Sequence, residues 1–158
     1  MRVLALDPGT TQSGWVLYDS KAKHVLDSGV RDNNSILGWL PCTVAQPHAD
    51  LLAIERFAAM GMTVGQEVFD TCVWIGRFQQ AWHTPAAAWL VFRRDVKMHL
   101  CGDSRAKDAN IRQAIIDRYG GPAAIRKGGP LYKVSSHIWA ALAVGLTYLD
   151  QQKTGGTL

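Results

Sequence analysis

The chain has 158 residues, 47% hydrophobic and 19% charged, which is the make-up of one ordinary globular domain long enough to bury a core. The formal charge of +4 is unevenly spread: ten Lys or Arg against four acids lie between Arg93 and Lys133, leaving the remainder slightly acidic. That segment is either a solvated basic face or a surface that tracks phosphates, since clustered cations gain affinity for nucleic acid by releasing counterions. The longest apolar stretch, HIWAALAVGLTYL, is too short to cross a bilayer. The opening MRVLALD lacks the apolar run and cleavage site of a signal peptide. Three cysteines (Cys42, Cys72, Cys101) form no spaced framework, so reduced thiols in a cytoplasmic protein are expected.

In chain order, residues 2–7 (RVLALD) and 14–19 (GWVLYD) read as two strands joined by a turn rich in Pro, Gly, Thr and Ser. HVLDSGV completes an antiparallel meander. DNNSILGWL reads as a short capped helix stopped by Pro41. PHADLLAIE is a buried strand ending on Glu55. Residues 63–82 carry Val64, Val68, Cys72, Ile75, Phe78 and Trp82 near a 3.6 period, which predicts a helix closed by Pro85. AAAWLVFRR reads as a fifth strand. DANIRQAIIDRYGG reads as a helix capped by Asp108, and after the looser GPAAIRKGGPLYK a last helix starts at SSHIW, capped by Ser135 or Ser136. The order predicts an α/β domain over residues 1–150, a mixed five-stranded sheet flanked by α-helices, and a flexible tail over 151–158.

Asp7 and Glu55 are isolated carboxylates at the ends of apolar strands. An ionised group in such a place needs a partner or a cation, because burying it alone is costly. In the structural reading Asp7 caps the DPGTT turn and Glu55 pairs with Arg56 or another arginine. In the functional reading the two strands are parallel neighbours, and both carboxylates emerge at the sheet edge where α/β proteins place their sites. His137 adds an imidazole in the first turn of the last helix. The small residues that follow (Ala140, Ala141, Ala143) let that turn lie close over the strand ends, and imidazole is a competent metal ligand.

LALDPGTTQSGW, AIERF, VKMHLCGDSRAKDANIRQ and HIWAALAVG, in that order and spacing, resemble the RuvC family of Holliday junction resolvases, most closely its bacteriophage-type members. The resemblance runs from about Arg2 to Leu149. It implies an RNase H-like fold and a homodimer that cuts four-way or branched DNA junctions in the cytoplasm of a bacterial host. Two Mg²⁺ or Mn²⁺ ions would be held by four side chains, with no nucleotide cofactor and no membrane. Asp7 matches the family's first-strand aspartate, Glu55 its central glutamate and His137 the first ligand of the final helix. The fourth ligand position is Ala140, a departure. Asp103, Asp108, the Ser136 hydroxyl or water are its candidate replacements. A single firmly held metal, with the second recruited by the scissile phosphate, and a protein that binds junctions but cuts poorly are the other readings.

By the same resemblance, an ion between Asp7 and His137 would generate the attacking hydroxide, and one near Asp7 and Glu55 would neutralise the leaving 3′ oxygen. Lys97 and Lys107 match basic positions near the scissile phosphate. Phe57 matches an aromatic that stacks on bases near the junction centre, one place early, with core packing as its alternative. Arg93, Arg94, Arg105 and Arg112 are the further DNA-contact candidates, and the helix over 63–82 is the candidate dimer interface. DPGTT also occurs in actin-like ATPases, but those need a second domain and a second glycine-rich loop. An RNase H-type nuclease on RNA–DNA hybrids and a non-catalytic junction-binding protein remain the rivals.

Overall fold

The structure, a computed structural model, describes residues 1–41, 49–59, 61, 63–84 and 87–155. Cys42 and Pro85 lie outside them. The sheet has five strands: β1 (Arg2–Asp7), β2 (Gln12–Asp19), β3 (His24–Asp32), β4 (Leu51–Arg56) and β5 (Trp89–Phe92). Their spatial order is β3-β2-β1-β4-β5, with β1, β2 and β3 antiparallel in sequence and β4 and β5 running parallel to β1. The expected mixed sheet is therefore present.

β1 is a continuous apolar run because helices cover both of its faces. Leu4 and Leu6, with Trp15, Leu17, Leu52 and Ile54, face α1 (Asn33–Trp39) and α2 (Gln66–Ala81), where Ile36 and Phe78 are fully buried. Val3 and Ala5, with Val16, Ala53 and Val91, face α3 (Arg93–Cys101), α4 (Asp108–Arg118) and α5 (Ile138–Gly155). Each fully buried Leu, Ile, Val or Phe contributes about 1.5–3 kcal/mol relative to exposure. α5 lies against β1 through small residues: Ala141 and Ala143 are buried, and a Cβ on Gly145 would sit 3.2 Å from that of Ala5.

Several boundaries differ from expectation. α1 is capped by Asp32, whose Oδ1 accepts from the N–H groups of Asn34 and Ser35. Arg93 and Arg94, expected in the fifth strand, open α3 instead, because Val96 and Leu100 recur at helical spacing and Gly102 closes the helix in the left-handed region at φ 69°. α4 begins rather than caps at Asp108. The Lys107 N–H is taken up by the Asn110 side chain at 2.9 Å. α5 continues to Gly155, past the point where the tail was expected to begin. Among the described residues no helix is long and apolar enough to cross a membrane.

At the end of the sheet away from Asp7, three helices are tied together by charge. Arg118, at the end of α4, donates to both oxygens of Asp150 on α5 at 2.5 and 2.7 Å, and His99 of α3 lies 3.0 Å from the same carboxylate. Beside them the Tyr18 and Tyr119 hydroxyls share a hydrogen bond that joins β2 to the end of α4.

Candidate active site

Asp7 and Glu55 stand at adjacent parallel strand ends, where Leu6 of β1 pairs with Ile54 of β4. The strand alternation puts both on the α5 face of the sheet. Glu55 is buried, and the Asp7 side chain is 14% exposed. Burial first, and then the neighbouring Asp7 carboxyl, push the Glu55 pKa up to about 8 against the pull of Arg93. Arg93 Nη1 donates to Glu55 Oε1 and Oε2 at 3.2 and 3.1 Å, while its Nη2 donates to Asp108 Oδ1 at 2.7 Å. The arginine partner of Glu55 is thus Arg93; Arg56, its neighbour in sequence, lies over the Phe92 ring, 4.0 Å from its centroid.

His137 comes one residue before α5, not in its first turn, and follows Ser136, whose φ of 43° bends the chain into the helix. Its Nδ1 is 3.8 Å from Asp7 Oδ2 and its side chain is 70% exposed. Gly14, opposite Asp7 on β2, sets this placement: a Cβ there would be 2.7 Å from the His137 carbonyl oxygen. Gly14→Ala is expected to push the His137 turn off the sheet. Thermal melting should show a loss of about 1–3 kcal/mol, the usual cost of overpacking.

The turn that presents Asp7 is held from below. The Ser13 hydroxyl donates to Asn33 Oδ1 at 2.6 Å, Asn33 Nδ2 donates to the Gly9 carbonyl at 2.9 Å, and both side chains are buried. The Thr11 carbonyl joins this network by accepting from the Asn33 backbone N–H at 2.9 Å. Local sequence marks Asn33 only as part of a helix start and carries no sign of its second role.

A cavity of about 580 Å³ opens beside Asp7, and its wall includes Asp7, Arg93, Asp108, Ser136, His137 and Ala140. Of the candidates for the missing fourth ligand, Asp108 and Ser136 therefore reach the site. Asp103 is exposed and accepts from the Arg105 N–H at 2.8 Å in a local turn. Lys107, Arg105 and Arg94 are exposed and Lys97 is half-buried, all along α3 and the loop to α4. Arg112 lies 5.5 Å from the Trp139 ring centroid. Phe57 is 42% exposed, so it is not core.

Among the described residues no three His, Cys, Asp or Glu side chains converge to hold a metal ion, and both oxygens of Glu55 are engaged by Arg93. Asp7 and His137, a carboxylate and an imidazole on one cavity wall, are the pair whose chemistry fits a divalent cation.

The sheet order and the helices on its two faces define an RNase H-like α/β fold. Full-length similarity is found to RuvC of Thermus thermophilus: TM-score 0.74, 18% identity, covering 98% of this chain and 97% of that one. It is also found to T. thermophilus RuvC in complex with a Holliday junction substrate: TM-score 0.74, 20% identity, covering 98% and 96%. No protein-family model and no curated protein sequence matches the chain.

Proposed function

We propose that this chain is a structure-specific DNA endonuclease that resolves four-way or branched junctions by hydrolysing phosphodiester bonds with Mg²⁺ or Mn²⁺. The observation that carries the reading is the Asp7–Glu55 carboxylate pair, with His137 beside it, at the strand ends of an RNase H-like fold beside an open cavity. Asp7 and His137 would hold a divalent ion. When bound, such an ion lowers the pKa of a water and neutralises charge on the phosphate. The chain's own residues do the rest. Asn33 and Ser13 fix the turn that aims Asp7, and Arg93 compensates the buried Glu55. Lys97 and Lys107 lie along the segment that would face the scissile and flanking phosphates, with Arg94, Arg105 and Arg112 extending that surface. Phe57, exposed just after β4, is available to stack on a base. The setting this implies is a bacteriophage-type enzyme acting in a bacterial host cell.

A four-way junction has near two-fold symmetry, so a homodimer would present two sites to equivalent strands. α2 supplies a fitting surface: Phe69 and Val73 are 56% and 61% exposed, one helical turn apart, next to Gly76 and to Arg77, which lies over the Trp74 ring. Val73→Glu is expected to convert the dimer to a monomer in light scattering and to uncouple the two nicks on a junction.

The test is cleavage of a mobile four-way DNA junction in Mg²⁺ and in Mn²⁺, beside a linear duplex and an RNA–DNA hybrid. Paired symmetric nicks in the junction alone are expected. Cleavage of the hybrid instead would reassign the substrate. Tight junction binding without cuts in either metal favours a non-catalytic binding protein, the reading that Ala140 on the cavity wall supports.

A further inference from the structure

The structure assigns Arg93 as a resident cation of the site: its guanidinium occupies the Glu55 side permanently, so each chain takes up one divalent ion, on the Asp7–His137 side, rather than two. This rests on the nuclease reading above and deepens it.

Three observations carry it. First, Glu55 is 3% exposed, and both of its oxygens already accept from Arg93 Nη1 at 3.2 and 3.1 Å. A metal ion on that carboxylate would have to displace the arginine. Second, Arg93 is anchored twice. Its Nη2 holds Asp108 at 2.7 Å, so leaving Glu55 would also break a second charge-assisted bond. A guanidinium cannot escape by losing its proton, and a buried carboxylate left without its partner is strongly unfavourable. Third, the rest of the wall offers no set of groups for a second ion: Asp108 is already held by Arg93 Nη2 at 2.7 Å, and Ala140 adds no carboxylate.

Arg93 is itself a wall residue with a third of its side chain exposed, so the guanidinium is presented to whatever enters the cavity. A phosphate bound there would meet a divalent ion on one side and an arginine on the other. Preorganised positive charge at such a position stabilises charge that develops in the transition state. α3 makes this possible by starting directly at the end of β5, which delivers Arg93 alongside Glu55.

The experiment is a count of bound Mn²⁺ per chain at saturation, read from the loss of the free-ion electron paramagnetic resonance signal. Wild type and Arg93→Ala would be compared, with junction cleavage measured on the same samples. The expected result is one ion per wild-type chain and two per Arg93→Ala chain. Arg93→Gln, shorter and uncharged but still polar, makes the same test should the alanine variant fail to fold. Two ions or none on wild type, or an unchanged count in folded variants, overturns the assignment. Cleavage by a wild type that binds two ions removes this inference and leaves the junction-nuclease reading standing. One ion with no cleavage of any substrate does the reverse.

Discussion

Asp7→Asn is expected to lower junction cleavage by about a thousandfold or more while raising the melting temperature of the metal-free protein. The first effect follows from removing the carboxylate that pairs with His137, since metal-assisted stabilisation of a phosphoryl transition state amounts to several kcal/mol. The second follows from the crowding of two carboxyls at one sheet edge. Glu55 is held at about 8 by burial and by Asp7. A carboxyl raised in the folded state contributes its stability in full below its unfolded value near 4.5, and that stability is lost as pH rises through about 8. Without metal, the wild type should therefore melt progressively lower between about pH 4.5 and 8. Asp7→Asn removes the like charge and should flatten that slope, raising Tm by a few degrees at about 2–4 °C per kcal/mol for a chain of this size. Melting in a chelator across this pH range, beside a cleavage assay, checks both. A variant that cuts normally would end the catalytic assignment of Asp7. One that loses cleavage and also stability would mean that Asp7 is a structural cap of its turn.

That trade between stability and site chemistry was partly visible in the sequence. The apolar runs before Asp7 and Glu55 mark strands buried on both faces, so a carboxylate ending each run stands out, and only their pairing had to come from the structure. α1 announced itself through Asp32 and a short apolar pattern. α3 did not, because WLVF passes straight into RRDVK with no glycine or proline to mark the change. The strand pattern therefore continues without a break through Arg94, and nothing local marks Arg93 as the first residue of a helix. Counted by charge, it belongs with the other basic residues of its segment, and only the start of a helix at that residue turns it inward onto Glu55. Gly14 was unreadable for a similar reason. Its lack of a side chain matters because His137, more than a hundred residues away, lies on top of it. The tail differs in the other direction: it is expected from residue 151, yet α5 continues to Gly155.

Asp150→Ala is expected to lower the melting temperature by about 2–8 °C and to remove an acid-sensitive part of the stability, with no direct effect on the site at the other end of the sheet. Arg118 and His99 reach Asp150 from two different helices, so one carboxylate holds α3, α4 and α5 in register. Breaking a fully buried pair costs about 3–5 kcal/mol, but Arg118 is 36% exposed and Asp150 21%, so screening by solvent reduces this to about 1–2 kcal/mol. The sign of the pH effect follows from the carboxyl's own environment. Partial burial works to raise its pKa, and the hydrogen bonds from Arg118 and His99 outweigh that and hold it at about 2. A carboxyl depressed in the folded state contributes stability above its unfolded value near 3.8, and that contribution is lost as pH falls through about 2. Wild type should therefore lose stability between about pH 4 and 2 more steeply than Asp150→Asn, which keeps the side-chain size but cannot ionise. Melting curves of the two proteins across that window decide it. Parallel slopes would mean that the three helices are held by their apolar contacts alone, with Asp150 contributing only what an exposed ion pair does.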